Sequence, residues 1–311
     1  MDKENSKRIL LFLGIVFIIT YLIDFIFIVP LAHSTDISDG LTATFLSAAV
    51  MMIPAISVFL TRIITREGFT DHYLLFSLKN GNMKYYLLAW FLPAVLIALG
   101  ALLYFAVFPY QFDWNMSYYL GNVTKSGTIV TVEALRKTMI SQLITGVILG
   151  PIMNCITCFG EEWGWRGYLL PKLMKTMPMY AAIVLDGILW GLWYLPLIIA
   201  GKNYGFDYDY YPYAGIAMMI LFCTVLGVFF SYLTIKTKSC VPSIIGQGAL
   251  NSVASVGIVF TCDGGKMLLG PSITGLISLV PAIITAVIVL HLLRNDNACA
   301  TDSSCDTINE V

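Results

Sequence analysis

The densest group of polar residues in this sequence is the run GEEWGWRG at 160–167, which follows a long apolar segment. If one helix continues through the run, Glu162 and Arg166 lie four residues apart on one face and can form an ion pair. Glu161 then points about 100° away from that pair and stays free. The spacing predicts that Glu162 is structural and Glu161 available for chemistry, although an isolated EExxxR is also typical of an ordinary ion pair at an interfacial helix end.

Two more polar groups lie within apolar segments downstream. The stretch WGLWYLP at 190–196 places Tyr194 in one segment, and QGALN at 247–251 places Gln247 and Asn251 in another. In each stretch, side chains four residues apart share one helix face. Polar side chains inside a membrane are costly and usually have a function there, so these residues are candidates for a functional site.

The composition indicates that helices in a bilayer must position these groups. The 311 residues are 58% apolar and 12% charged, whereas an ordinary soluble domain has roughly 25% charged residues. A soluble core cannot absorb that much apolar surface, but a bilayer accepts helices of about 20 apolar residues. The net charge of -1 gives no support to nucleic-acid binding.

Eight apolar segments are each long enough to cross a membrane. They lie at about 9–32, 41–64, 85–108, 139–160, 179–200, 213–235, 240–261 and 272–293. The sequence therefore predicts an all-α, polytopic membrane protein with about eight transmembrane helices. We expect a single transmembrane domain over 1–294, with no soluble domain, and a disordered polar tail over 295–311.

Lysine and arginine positions predict the orientation, because basic short loops are retained on the cytoplasmic side. If the N-terminus is inside, the basic residues on the outer side are Lys125, Arg136, Lys137, Lys202 and Lys266. The other 13 of the 18 (18 minus 5) then lie on the cytoplasmic side. We therefore predict a multi-pass protein of the cell membrane with cytoplasmic N- and C-termini.

In order and spacing, the three polar motifs resemble those of the CAAX protease and bacteriocin-processing family of intramembrane endopeptidases, also called the CPBP or Abi family. Its members carry E-E-x-x-x-R, then F-x-x-x-H, then H-x-x-x-N, and the similarity covers about residues 139–255. The resemblance implies that Glu161 activates the attacking water and that Glu162 and Arg166 support it. It also implies a substrate that is a peptide or a membrane protein within the lipid bilayer.

Both histidines of the family motifs are replaced in this sequence. Tyr194 stands at the position of the first histidine and Gln247 at that of the second, while Asn251 matches the asparagine that helps to hold the oxyanion. The side chains of Tyr194 and Gln247 keep a hydrogen-bond donor, but neither relays a proton readily near neutral pH. The chain has three histidines, all outside the motifs: His33, His72 and His291.

The loss of imidazole bears on the expected cofactor. Glu161, Tyr194, Gln247 and Asn251 form a poor ligand set for zinc, which favours histidine and cysteine with some carboxylate. We therefore expect no catalytic zinc and no other cofactor.

Functions of different kinds stay open at this point. The first is an endopeptidase of the family that cuts a peptide bond with a water activated by Glu161. The second is a catalytically silent relative that binds a peptide or acts in bacteriocin self-immunity. The third is a small transporter that uses the intramembrane acids Asp24 and Asp186. Asp186 is eight residues before Tyr194 and shares roughly its face, which predicts either a lining position in the same cavity or a hydrogen bond between helices.

Small residues and cysteines lie beside the polar motifs. Side-chain bulk is missing at Gly160, Gly164, Gly191, Gly246, Gly248 and Ala249, which favours close helix packing or entry of a peptide. Cys155, Cys223 and Cys240 fall in or beside apolar segments and are predicted to be buried thiols. The pattern C-x-x-C at 155–158 is interpreted as packing, because the soluble βαβ context of a redox motif is missing.

Overall fold

The computed structural model describes residues 3–79, 81–125 and 130–301. The helices of this part of the chain are, in order, α1 (Lys3–Ala32), α2 (Ile37–Ile64), α3 (Met83–Val107), α4 (Ser117–Lys125), α5 (Val132–Met153), α6 (Cys155–Met174), α7 (Met179–Trp193), α8 (Leu195–Ile199), α9 (Tyr213–Thr237), α10 (Val241–Val253), α11 (Val256–Val259) and α12 (Val280–Thr301). Among these residues no β-strand forms apart from one isolated β-bridge between Phe112 and Thr261, and the all-α class is confirmed.

Four of the helices, α1, α2, α3 and α9, are long and apolar enough to cross a membrane, and α5 with α6 counts as a fifth if the pair is one span. A polytopic membrane protein is therefore confirmed, while the number eight is not. The other apolar segments fall on the shorter helices α7, α10 and α12. Among the four long helices, α9 has the largest buried share, and it packs against α7 and α12.

The fourth apolar segment differs most from its predicted bounds. It is two helices, α5 and α6, that meet at Asn154 with a bend of 54°. Pro151 lies in the last turn of α5 and has no N–H for the helical ladder. The Asn154 amide bonds the Gly150 carbonyl at 3.0 Å and the Ser252 hydroxyl of α10 at 2.9 Å, which stabilises the bend. As a result, α6 continues to Met174, and the run 160–167 lies within it rather than at a segment end.

The seventh and eighth segments were also predicted too long. The residues at 240–261 form α10 and the short α11, with a turn between them. The first eight residues of the segment at 272–293 form turns, and α12 begins only at Val280. That helix continues to Thr301, into the stretch predicted as a polar tail, and residues 302–311 lie outside the described residues.

Glycines allow α6 to cross α2 at backbone contact. A Cβ on Gly160 would lie 2.2 Å from the carbonyl oxygen of Met51, and a Cβ on Gly164 would lie 2.4 Å from Cβ of Pro54. The crossing falls where α2 itself is interrupted by a turn at Met51 and Met52. The prediction that these glycines remove bulk between helices is confirmed here.

A polar cluster fixes the start of α1 to the far end of α6. The side chain of Asn5 donates to the Lys172 carbonyl at 2.8 Å, while Glu67 bonds the Lys172 ammonium and the Tyr168 hydroxyl and lies 3.8 Å from Arg8. Burial would raise the pKa of Glu67, but the bonds from Lys172 and Tyr168 hold this pKa below its ordinary value. We call this end of the bundle the basic end.

Candidate functional site

The Glu161 side chain is fully buried, with a relative exposure of 0%. The indole Nε1 of Trp190 donates to its Oε2 at 2.8 Å. The Tyr194 hydroxyl lies 3.1 Å from Oε1 and 3.3 Å from Oε2, and the Gln247 amide is a further hydrogen-bonding group for the same carboxylate. The structure thus brings together Glu161, Tyr194 and Gln247, and Glu161 is hydrogen-bonded rather than free.

The side chains around the Glu161 carboxylate come from separate helices. Glu161 lies in the first half of α6, beyond the bend at Asn154. Tyr194 lies at the break between α7 and α8, which occurs because Pro196 cannot continue the ladder of α7. Gln247 lies in the middle of α10, where it has a relative exposure of 1%. Tyr194 lines a cavity at this break, while its hydroxyl contacts Glu161.

The second acid, Glu162, belongs to a separate buried ion network. Its Oε1 accepts from Nη1 of Arg166 at 2.8 Å, as the spacing predicted. Nε of Arg166 lies 3.4 Å from Oδ2 of Asp186, and all three side chains have no exposed surface. The guanidinium carbon of Arg166 lies 4.1 Å from the centre of the Trp190 ring, which adds a cation–π contact.

Asn251 stands apart from the other predicted residues. Its Nδ2 contacts Sγ of Cys158 at 3.6 Å, a weak hydrogen bond, and within the described part of the chain Asn251 makes no hydrogen bond to Glu161. The residue is exposed at the meeting point of two cavities of about 300 and 310 Å³. Asn251 therefore contacts the space beside the carboxylate and not the carboxylate itself.

The two cavities approach Asn251 from different sides. One lies between α5 and the pair α10–α11, where Leu143 and Val256 line it. The other is bounded by α2, α8 and α9, and it extends from Tyr194 to Lys202, beyond α8. Volumes of about 300 Å³ are at the lower limit of ordinary ligand pockets. The first cavity reaches Asn251 alone, whereas the second reaches both Tyr194 and Asn251.

The site offers no set of metal ligands that suits zinc. Among the described residues, no three His, Cys, Asp or Glu side chains are grouped closely enough to hold a metal ion. The Glu161 carboxylate is instead surrounded by an indole, a phenol and an amide, of which the indole N–H cannot bind a cation. Zinc does not fit these residues.

The three histidines lie away from the site, as predicted. His33 contacts the Val29 carbonyl at the end of α1, His72 accepts from the Leu74 N–H in the loop after α2, and His291 contacts Asn295 in α12. None of them can replace the imidazoles missing at Tyr194 and Gln247.

Two further acids and three cysteines lie in or beside the apolar segments, and not all of them are placed as predicted. Asp186 lines neither cavity beside Asn251. It is fully buried, and its Oδ2 lies 3.4 Å from Nε of Arg166, which is an ion pair between helices rather than the expected hydrogen bond. Asp24 is also fully buried and has no hydrogen-bond partner among the described residues. Cys223 and Cys240 are buried free thiols as predicted, while Cys155 is only partly buried.

The sequence motifs do not identify Trp190 as part of the site. The sequence does contain a feature that points to this residue. Trp190 precedes Tyr194 by four residues, at the position that phenylalanine occupies in the family motif F-x-x-x-H. Spacing could place the ring on the same helix face as Tyr194 but could not show that its N–H points at Glu161. That direction follows from the crossing of α6 and α7, which only the fold defines.

Comparisons with known proteins find similarity over this central region. A sequence model of the Rce1-like family, described as type II CAAX prenyl endopeptidase Rce1-like, matches residues 140–253. CAAX prenyl protease 2 of Methanococcus maripaludis is 31% identical over 94 residues, which are 29% of this chain and 34% of that relative. The alignment thus spans about a third of the relative's length. All the predicted site residues lie within 140–253.

Proposed function

Since this chain belongs to the CAAX protease and bacteriocin-processing family, we propose that it is an intramembrane endopeptidase in which Glu161 activates water. One observation carries the proposal. A fully buried carboxylate is held by groups from two other helices, and one of them, Tyr194, lines a cavity that also reaches Asn251. Polar groups at such depth destabilise a membrane protein unless they are used, which favours a working site.

The reaction needs only groups of this chain. Glu161 takes a proton from a water molecule while the water oxygen attacks the peptide carbonyl carbon. Glu161 then gives that proton to the leaving amine as the C–N bond breaks. Oε1 of Gln247 is buried without a hydrogen-bond partner among the described residues, so it can accept the second proton of the water in a hydrogen bond. This bond orients the water beside the base.

Neutral donors would stabilise the developing oxyanion. The Tyr194 hydroxyl turns from Glu161 toward the oxyanion once that carboxylate has taken its proton, and Asn251 donates from the cavity side. Loss of one such donor in other enzymes costs about 100- to 1000-fold in rate, so two of them are a substantial contribution. Without imidazole the proton transfers rest on Glu161 alone, and we expect a slow enzyme.

The proposed substrate is a peptide segment of a membrane-associated protein. The cavities open within the apolar part of the bundle, and their linings contain apolar side chains such as Leu143, Val256 and Phe222. The protein would lie in the cell membrane with its basic end in the cytoplasm, because Arg8, Arg62 and Lys172 gather there. Both termini are then cytoplasmic.

A second candidate function is peptide binding without cleavage, as in a silent relative with a role in bacteriocin self-immunity. The observation that favours it is the state of Glu161, whose two oxygens both accept hydrogen bonds from Trp190 and Tyr194. A base in that state must exchange one of these bonds for water before it acts. The two candidates predict the same binding and differ only in hydrolysis.

A peptidase assay separates the candidates. The purified protein in detergent is incubated with a quenched library of apolar peptides, beside the double variant Tyr194→His plus Gln247→His. We expect slow cleavage by the natural chain. Mass spectrometry identifies the products. Tyr213→His is the matched control, because that tyrosine is 77% exposed and lies outside the motifs. Cleavage by the double variant alone would show that the natural chain is a silent binding relative.

A further inference from the structure

A continuous set of contacts leads from Asp186 to the proposed base. Oδ2 of Asp186 lies 3.4 Å from Nε of Arg166. The guanidinium carbon of Arg166 lies 4.1 Å from the centre of the Trp190 ring. The indole Nε1 of Trp190 donates to Oε2 of Glu161 at 2.8 Å. Each side chain in this set is buried, so solvent does not compete for any of these contacts.

Arg166 is fixed on several sides, which makes its position well determined. Glu162 binds Nη1, Asp186 lies beside Nε, and the Trp190 ring covers one face. On α9, Gly227 provides the space for this arrangement, because a Cβ there would lie 3.0 Å from Nη2. A guanidinium between two carboxylates and an aromatic ring has little rotational freedom left.

Trp190 gives the site a donor that phenylalanine would not provide. The family motif has phenylalanine at this position, and both of its histidines are replaced here. The indole N–H is a donor only, so it holds the carboxylate in one orientation without exchanging a proton with it. It therefore orients Glu161 and leaves proton transfer to the carboxylate itself.

We propose that Asp186 and Trp190 are positioning residues of the Glu161 site. Asp186 holds the Arg166 guanidinium against the indole ring, and the ring in turn directs its N–H to the carboxylate. The inference rests on the proposed function for its catalytic meaning, but the positioning itself is a property of the resting protein. Asp186 has this role in place of a part in ion transport.

Indole N–H resonances test the positioning without any activity. The chain has six tryptophans, and labelling their indole nitrogens with ¹⁵N gives a small set of signals from the protein in detergent. Trp190→Phe identifies the signal of interest by its loss. We expect Asp186→Asn to shift the Trp190 signal and to leave that of Trp193 in place, because Trp193 donates instead to Thr20 at 2.8 Å.

Two further variants keep this test decisive. Asp24→Asn changes the other buried acid and should leave the Trp190 signal unmoved. Arg166→Lys keeps the charge but removes the planar face, so it should shift the Trp190 signal even if Asp186→Asn does not fold. A Trp190 signal that is unmoved in folded Asp186→Asn, or in folded Arg166→Lys, would overturn the proposal.

The catalytic consequence is a selective loss of turnover. In the peptidase assay we expect Trp190→Phe to lower kcat by about 10- to 100-fold with an unchanged KM, because one donor to a charged acceptor is lost while the ring contact stays. Trp193→Phe is the matched control and should keep the natural kcat. If the natural chain shows no cleavage, the proposed function fails while the resonance test still decides the positioning. An unchanged kcat in Trp190→Phe would contradict the role of its N–H.

Discussion

Glu161→Gln is expected to lower peptide cleavage by about 1000-fold or more, to the detection limit, because an amide cannot take a proton from water and general-base catalysis alone contributes about 100- to 10,000-fold. The fold should survive the change. Trp190 can still donate to the amide oxygen, and the Tyr194 hydroxyl can accept from the new N–H₂ group. Cleavage rates and melting curves of the two proteins in detergent measure both effects.

Glu133→Gln is the control for this substitution. Glu133 lies in the first turn of α5 with its side chain 77% exposed, paired only with Lys137 among the described ion pairs. The same chemical change there should leave cleavage and melting as in the natural chain. If Glu161→Gln cleaves at the natural rate, Glu161 is not the base, and the mechanism proposed for this site is wrong.

Arg166→Ala is expected to destabilise the protein by about 3–5 kcal/mol, because it leaves the carboxylates of Glu162 and Asp186 buried without their cation. The two acids come from α6 and α7, so the loss loosens the contact between these helices. The Trp190 ring also loses the group that covers its face. Folded yield after purification and the melting temperature in detergent measure the effect.

The chain contains a matched pair that isolates burial as the cause. Glu133 and Lys137 have the same spacing along a helix as Glu162 and Arg166, and their nitrogen–oxygen distance is 3.0 Å. Both side chains of this pair are 77% exposed, so Lys137→Ala should change stability by less than about 0.5 kcal/mol. Equal melting temperatures for Arg166→Ala and Lys137→Ala would show that the buried network has no structural role.

Sequence spacing was sufficient for the features that depend on a single helix. The pairing of Glu162 with Arg166 needs only a four-residue interval, and it forms as predicted. Burial of Cys223 and Cys240 likewise follows from their apolar surroundings. The family motifs also identified Tyr194 and Gln247 as neighbours of Glu161, although they lie on three different helices.

Features that depend on packing between segments could not be predicted in this way. Residues 272–279 are as apolar as a helix start, but they form turns in which a Cβ on Gly275 would lie 2.2 Å from the Gly270 nitrogen. Apolar composition alone does not distinguish such a packed turn from a membrane span. The bend at Asn154 depends on the hydrogen bond between Asn154 and Ser252 of α10. The direction of the Trp190 N–H depends on how α6 and α7 cross.

The central claim, hydrolysis by Glu161 with neutral donors and no metal, is tested most directly by chelation. The purified protein is dialysed against a strong zinc chelator, and its cleavage of the apolar peptide library is compared with that of the untreated protein and of Glu161→Gln. We predict the same rate before and after chelation and none in Glu161→Gln. Loss of cleavage on chelation, with recovery when zinc is added back, would contradict the proposed mechanism.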